Sequence, residues 1–67
     1  MGKVHHTKRT DGTVIYHASG GLAWAEVTQP KTGGTLVRLM INQDERLAWL
    51  FDDRENAEEF ARLFAQQ

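Results

Sequence analysis

His5, His6 and His17 are the side chains of this sequence best suited to moving protons near neutral pH or binding a metal. Adjacent histidines point different ways on an extended chain, and nothing near His5 and His6 supplies a further ligand at metal-binding spacing. Their expected setting is a solvated arm. That of His17 is a cross-strand site beside Trp24. Ser19-Gly20-Gly21 has the residue types of a phosphate cradle but lacks the strand–loop–helix context such loops need, so it reads as a hairpin turn. Asp52 and Asp53 resemble paired acid–base carboxylates, yet the start of a helix accounts for them without catalysis. The chain has no cysteine, which removes the thiolate nucleophile, thiolate-bound zinc and the disulfide together. Ser19 carries no signature of activation, and 67 residues leave little room to enclose a catalytic pocket. The expectation is a non-enzymatic protein with no catalytic residues, no metal and no cofactor.

The elements that would position these residues end in the most informative segment, Leu47 to Ala65. It reads as a strand passing through an N-cap into an amphipathic helix. Asp52 precedes Glu55 by three positions, the spacing of a capping box, and Asp53 and Glu55 put negative charge at the positive end of the helix dipole. Ala57, Phe60, Ala61 and Phe64 share one helical face, with Leu63 widening it. Phe60 is the expected buried anchor, and Glu58 with Arg62 the expected outer ion pair.

Upstream, short apolar runs alternate with turn chemistry. Strands are expected at Val14 to Ala18, Leu22 to Thr28, Leu36 to Asn42 and Leu47 to Phe51. Gln29 to Thr35, containing Pro30 and Gly33-Gly34, is a loop, and Gln43 to Arg46 a polar turn. The fold class is therefore α+β: a four-stranded antiparallel meander with one C-terminal helix on one face, in the order ββββα. Residues 1–12, polar and basic through Lys3, Lys8 and Arg9, read as a flexible arm, and residues 13–67 as a single domain. With Ser19 opposite Leu22, Val14, Tyr16, Ala18, Ala23, Ala25 and Val27 share one face, whose alanines admit a helix closely. Ile15, His17, Leu22, Trp24 and Glu26 take the other. With Asn42 opposite Leu47, Val37, Leu39, Ile41, Ala48 and Leu50 join the helix side. Arg38, Met40, Trp49 and Phe51 then lie beside Trp24 on the outer side.

One helix covers one face of a sheet, so the outer face would show Trp24, Trp49, Met40 and Phe51 to water. Such a patch is resolved either by curling into a small barrel or by serving as an interface. The composition of the face, rich in Trp and Met with an arginine, suits protein contact at Trp24, Trp49, Met40, Arg38 and His17. The partner would be another copy or a different protein. The alternative is nucleic acid, with aromatic rings stacking on bases and Lys8, Arg9, Lys31 and Arg38 following phosphates. A net charge of −1 and Glu26 on the same face favour the protein partner. No apolar run reaches the length of a membrane span and no signal-peptide core follows the start, so a soluble cytoplasmic protein is expected.

Trp24-Ala25-Glu26-Val27 followed by Pro30-Lys31-Thr32-Gly33 resembles the second strand and turn of AP2-type DNA-binding domains. Phe51 with the Ala57 helix is similar to the closing part of that pattern. The resemblance covers under half of the chain. It implies a three-stranded sheet that reads the DNA major groove, as in those domains and the arm-binding domains of phage integrases. The dense strand arginines of that mode are missing, with only Arg38 and Lys31 in place.

Overall fold

The structure, a computed structural model, describes residues 3–66. Five antiparallel strands follow one another across a single sheet, and a helix closes the chain. They are β1 (Val4–Lys8), β2 (Val14–Ala18), β3 (Ala23–Thr28), β4 (Thr35–Ile41), β5 (Asp44–Phe51) and α1 (Arg54–Ala65). The α+β architecture with a C-terminal helix packed on the sheet is the expected one, but the sheet has five strands where four are expected.

The additional strand lies in the segment expected to be a flexible arm. β1 pairs along β2 from Val4 opposite Ala18 to Lys8 opposite Val14. Residues 1 and 2 of that arm lie outside the described residues. Hydrophobic alternation does not reveal β1, because most of its side chains are exposed and polar. Its backbone ladder and its turn hold it instead. Asp11 Oδ1 accepts the Thr13 amide at 2.9 Å, and the Arg9 amide donates to the Thr13 carbonyl at 2.7 Å. The Asp11 bond closes an Asx-type turn and holds this carboxyl below its usual pKa range.

The β2–β3 hairpin has the expected register: His17 lies opposite Trp24, and Tyr16 opposite Ala25. Its turn is closed by the Gly21 amide on the Ala18 carbonyl, with Gly20 at φ +75°. The β4–β5 hairpin turns two residues wide, at Asn42 and Gln43, both at positive φ. That is the geometry of a type I′ turn, and it begins β5 at Asp44, inside the segment expected to be a polar turn.

The helix is capped one residue later than expected. Asp53, not Asp52, is the N-cap, and its carboxylate accepts the Glu55 amide at 3.0 Å. Glu58 pairs with Arg54 at 3.0 Å, one turn before the expected Arg62. α1 lies chiefly over β3, with β2 and β4 on either side. The core is Ala25, Val27, Val37, Leu39, Ala57 and Ala61, with Tyr16, Phe51 and Phe64 packed against it. Alanine meets alanine at the centre, so the helix sits close to the sheet. The same closeness displaces Phe60 from its expected place as the buried anchor. It remains 37% exposed on the flank of the helix, its ring 5.4 Å from that of Phe51.

Two substitutions measured by urea unfolding check this packing. Ala61→Leu should cost about 1–3 kcal/mol, because the added methylenes have no space between helix and β3. Phe60→Ala should cost less than the ~3–5 kcal/mol typical of a fully buried phenylalanine. A larger loss at Phe60 than at Ala61 would contradict the alanine-centred core.

Candidate functional site

On the sheet face opposite α1, cross-strand pairing sets His17 against Trp24, Trp24 against Met40, and Glu26 against Arg38. Together with Thr7, Ile15 and the Ser19–Gly21 turn, His17, Trp24 and Glu26 line a shallow open groove. Trp24 and His17 are half-buried there, and Met40 is buried. His5 lies across from His17 with ring centroids 5.9 Å apart. Among the described residues, no three His, Asp or Glu side chains converge as metal ligands. Arg38 is held by carboxylates: its Nε donates to Glu45 at 2.7 Å and its Nη1 to Glu26 at 3.5 Å. The hydrogen bond that Arg38 donates to Glu45 is also the largest cause raising the Arg38 pKa above its ordinary value.

Trp49 is not on this face. It lies opposite Val37, with Leu47 opposite Leu39 and Phe51 opposite Thr35, on the side that carries α1. The tight Asn42-Gln43 turn alone would have kept the expected sorting, since Met40 opposite Glu45 and Ile41 opposite Asp44 place Trp49 on the outer face. The reversal occurs one step further along. Between Leu39 and Met40 the register shifts, and Arg46 is the extra residue on β5. One extra residue in a period-two strand exchanges its two faces from that point on. Ala48 and Leu50 thereby take the outer face, and Phe51 reaches the core.

The bulge also determines what β5 exposes. As the last strand in the sheet order it is an edge, and the helix lies mainly over the strands inside it. Leu47 is 44% exposed, Trp49 59% and Leu50 54%. On α1, Phe60 touches Phe51 of β5, which turns that helix flank toward the edge. The opposite flank, carrying Arg54, Glu58 and Arg62, lies near Tyr16 of β2, whose pKa is raised first by burial and next by Glu58. Leu63, one turn after Phe60, is 51% exposed. Exposed apolar side chains thus follow the open edge as a strip, with Leu47 and Trp49 on its helix side, Leu50 on its reverse, and Phe60 and Leu63 on the adjoining helix flank. Of these, only Trp49 stands out as a contact residue by type. The signal for the others is the unbroken run Leu47-Ala48-Trp49-Leu50-Phe51, apolar on both faces where a half-buried strand would alternate.

Lys8, Arg9 and Lys31 lie at the end of the sheet that holds the β1–β2 and β3–β4 turns. Arg9 is 3.4 Å from Asp11. Trp24 and Met40 lie toward the opposite end, roughly 13 Å away by strand rise. The segment Trp24–Val27 that resembles AP2-type domains occupies the middle strand of five. Comparison with known proteins gives no match: no family model fits the chain, and no curated protein or solved structure aligns with it. No helix among the described residues is long and apolar enough to cross a membrane.

Deleting Arg46 tests the bulge. Without it, Glu45 opposite Met40 is followed directly by Leu47 opposite Leu39, so the ladder becomes regular and Phe51 keeps its inward place. Deleting Ala48 instead, beyond the bulge, carries Phe51 to the outer face. Thermal melting should show the Arg46 deletion still folded and the Ala48 deletion collapsed, and collapse of both would contradict the placement of the bulge at Arg46.

Proposed function

We propose that this chain is a small non-enzymatic protein-contact module, and that it makes contact through the β5 edge and the Phe60–Leu63 flank of α1. The observation that carries the proposal is Trp49 at 59% exposure, in the second half of an edge strand and flanked by exposed leucines. Tryptophan is enriched among the residues that dominate binding energy. Monomeric proteins seldom leave a contiguous apolar patch of this kind uncovered. An edge strand adds unpaired amides and carbonyls that a partner's strand can satisfy. The outer face offers less, because Met40 is already buried and Trp24 half-buried. Nucleic-acid stacking is the weaker alternative: Arg38 is committed to Glu26 and Glu45, and the remaining expected cations sit away from Trp24.

Light scattering against concentration tests the strip whatever its partner. The parent should show net attraction between molecules. Trp49→Lys or Leu63→Lys should abolish this attraction, with folding stability changed by under about 1 kcal/mol as for exposed sites. Leu22→Lys, on the β2–β3 turn and 66% exposed, should leave the attraction in place. Equal loss of attraction in Leu22→Lys would show that the strip is not the contact surface.

A further inference from the structure

We infer that the occupant of the β5 edge is a second copy of this chain, paired strand to strand and antiparallel about a two-fold axis through Trp49. The inference rests on the proposed contact surface and adds a partner and a register to it. It starts from the difference between the sheet's two edges. β1 is five residues long, polar, and ends in Lys8, a composition that discourages pairing. β5 presents five consecutive uncharged residues, Leu47 to Phe51, beyond its bulge. On β5 the protective features, the bulge and the charged Asp44, Glu45 and Arg46, are confined to its first half, which leaves Leu47 to Phe51 clear for strand addition.

A two-fold axis allows few registers. Residues directly opposite in an antiparallel pair share a face, so Leu47, Trp49 and Phe51 must oppose one another. Centring on Leu47 sets Trp49 against Glu45 and Ala48 against Arg46, and draws both bulges into the new ladder. A centre at Ala48 sets Leu50 against Arg46 and Phe51 against Glu45. With Trp49 at the centre, Leu47 meets Phe51, Ala48 meets Leu50, and the two indoles meet each other. Both bulges then fall outside the ladder. The next position outward on each side brings Arg46 of one copy to Asp52 of the other, so the register is flanked by opposite charges. Asp52 is available for this because Asp53 performs the capping. Beyond it, each chain turns away into its helix.

The area is sufficient. At the exposures of Leu47, Trp49, Leu50, Phe60 and Leu63, and with ~200 Å² for a large apolar side chain, the strip offers roughly 500 Å² per copy. Two copies and the joined backbone edges reach about 1,000 Å², the threshold for a specific interface. The product is one continuous sheet with both helices on the same side, their axes about 24 Å apart by strand spacing. The two Trp49 rings lie between the helices, flanked by Phe60 and Leu63 from each.

Sedimentation equilibrium of the full chain should give a monomer–dimer equilibrium. Arg46→Asp and Asp52→Arg should each weaken the dimer about tenfold by opposing like charges, and the double variant should recover most of the loss. Because the chain contains no cysteine, Trp49→Cys should form a disulfide-linked dimer with oxidised glutathione, while Leu47→Cys, facing Phe51, should not. A dimer that ignores the charge exchange and crosslinks equally through both cysteines would overturn the register. A monomer at every concentration would overturn the second copy as partner. The contact surface would still stand if Trp49→Lys abolishes the attraction seen by light scattering, and would fall with it otherwise.

Discussion

A helix is about 10 Å wide, whereas five strands at ~4.8 Å spacing make a sheet roughly 20 Å across. This mismatch governs the molecule. α1 lies over β3 and reaches its neighbours, and its alanines Ala57, Ala61 and Ala65 are buried outright. β1 lies largely beyond its reach, and β5 meets it through Phe51 at the end of the strand. A larger helix face would have stood further from the sheet and shaded more of it. With alanine packed on Ala25 the contact is tight but narrow. β1 answers its lack of cover with polar side chains. β5 does not, and every candidate property of the surface follows from that difference.

How much of this can be read from residues depends on which periodicity is intact. The β2–β3 hairpin alternates cleanly, and the face assignments from Val14 to Val27 hold in the structure. The helix is legible from its apolar stripe, although the stripe does not show whether Phe60 or Ala61 lies at its centre. That is settled by the small residues waiting on β3. β1 is illegible because its stabilisation comes from backbone pairing and the Asp11 turn, neither of which needs apolar alternation. Trp49 falls on the unexpected face for a different reason. Its immediate sequence is unambiguous, but a single extra residue at Arg46 reverses the parity of all that follows. An even pattern of turn residues carries no mark of such a bulge, and the uniform apolar run after it tolerates either face.

The electrostatics point the same way. Arg38, the only strand cation on the outer face within β2 to β4, is neutralised by carboxylates on both neighbouring strands. Exposed ion pairs of this type contribute little to stability, so the trio is better understood as a cross-strand device that favours one register. Arg38 bonds to Glu45, which lies before the bulge, while Ala48, beyond it, is its direct cross-strand partner. The ion pair therefore spans the irregularity and ties together the two halves of β5 that it separates.

The size of the chain gives the exposed strip its physical weight. A 67-residue chain sits near the lower limit for burying enough surface to fold on its own. Here the fully buried positions are filled mainly by alanines, and Val37 and Thr35 are the largest side chains among them. The bulkier Trp49, Leu47, Leu50 and Leu63 stay outside that core. Much of the apolar surface that stabilises larger domains is thus held in reserve on β5 and α1. Burying it against a partner draws on the hydrophobic driving force that folding leaves unused, and any partner that binds the folded chain alone raises its stability by mass action. Contact and folding therefore draw on the same residues. The strip remains compatible with a folded chain because the alanine-centred core places its demands elsewhere, on β3 and β4 and the inward face of the helix.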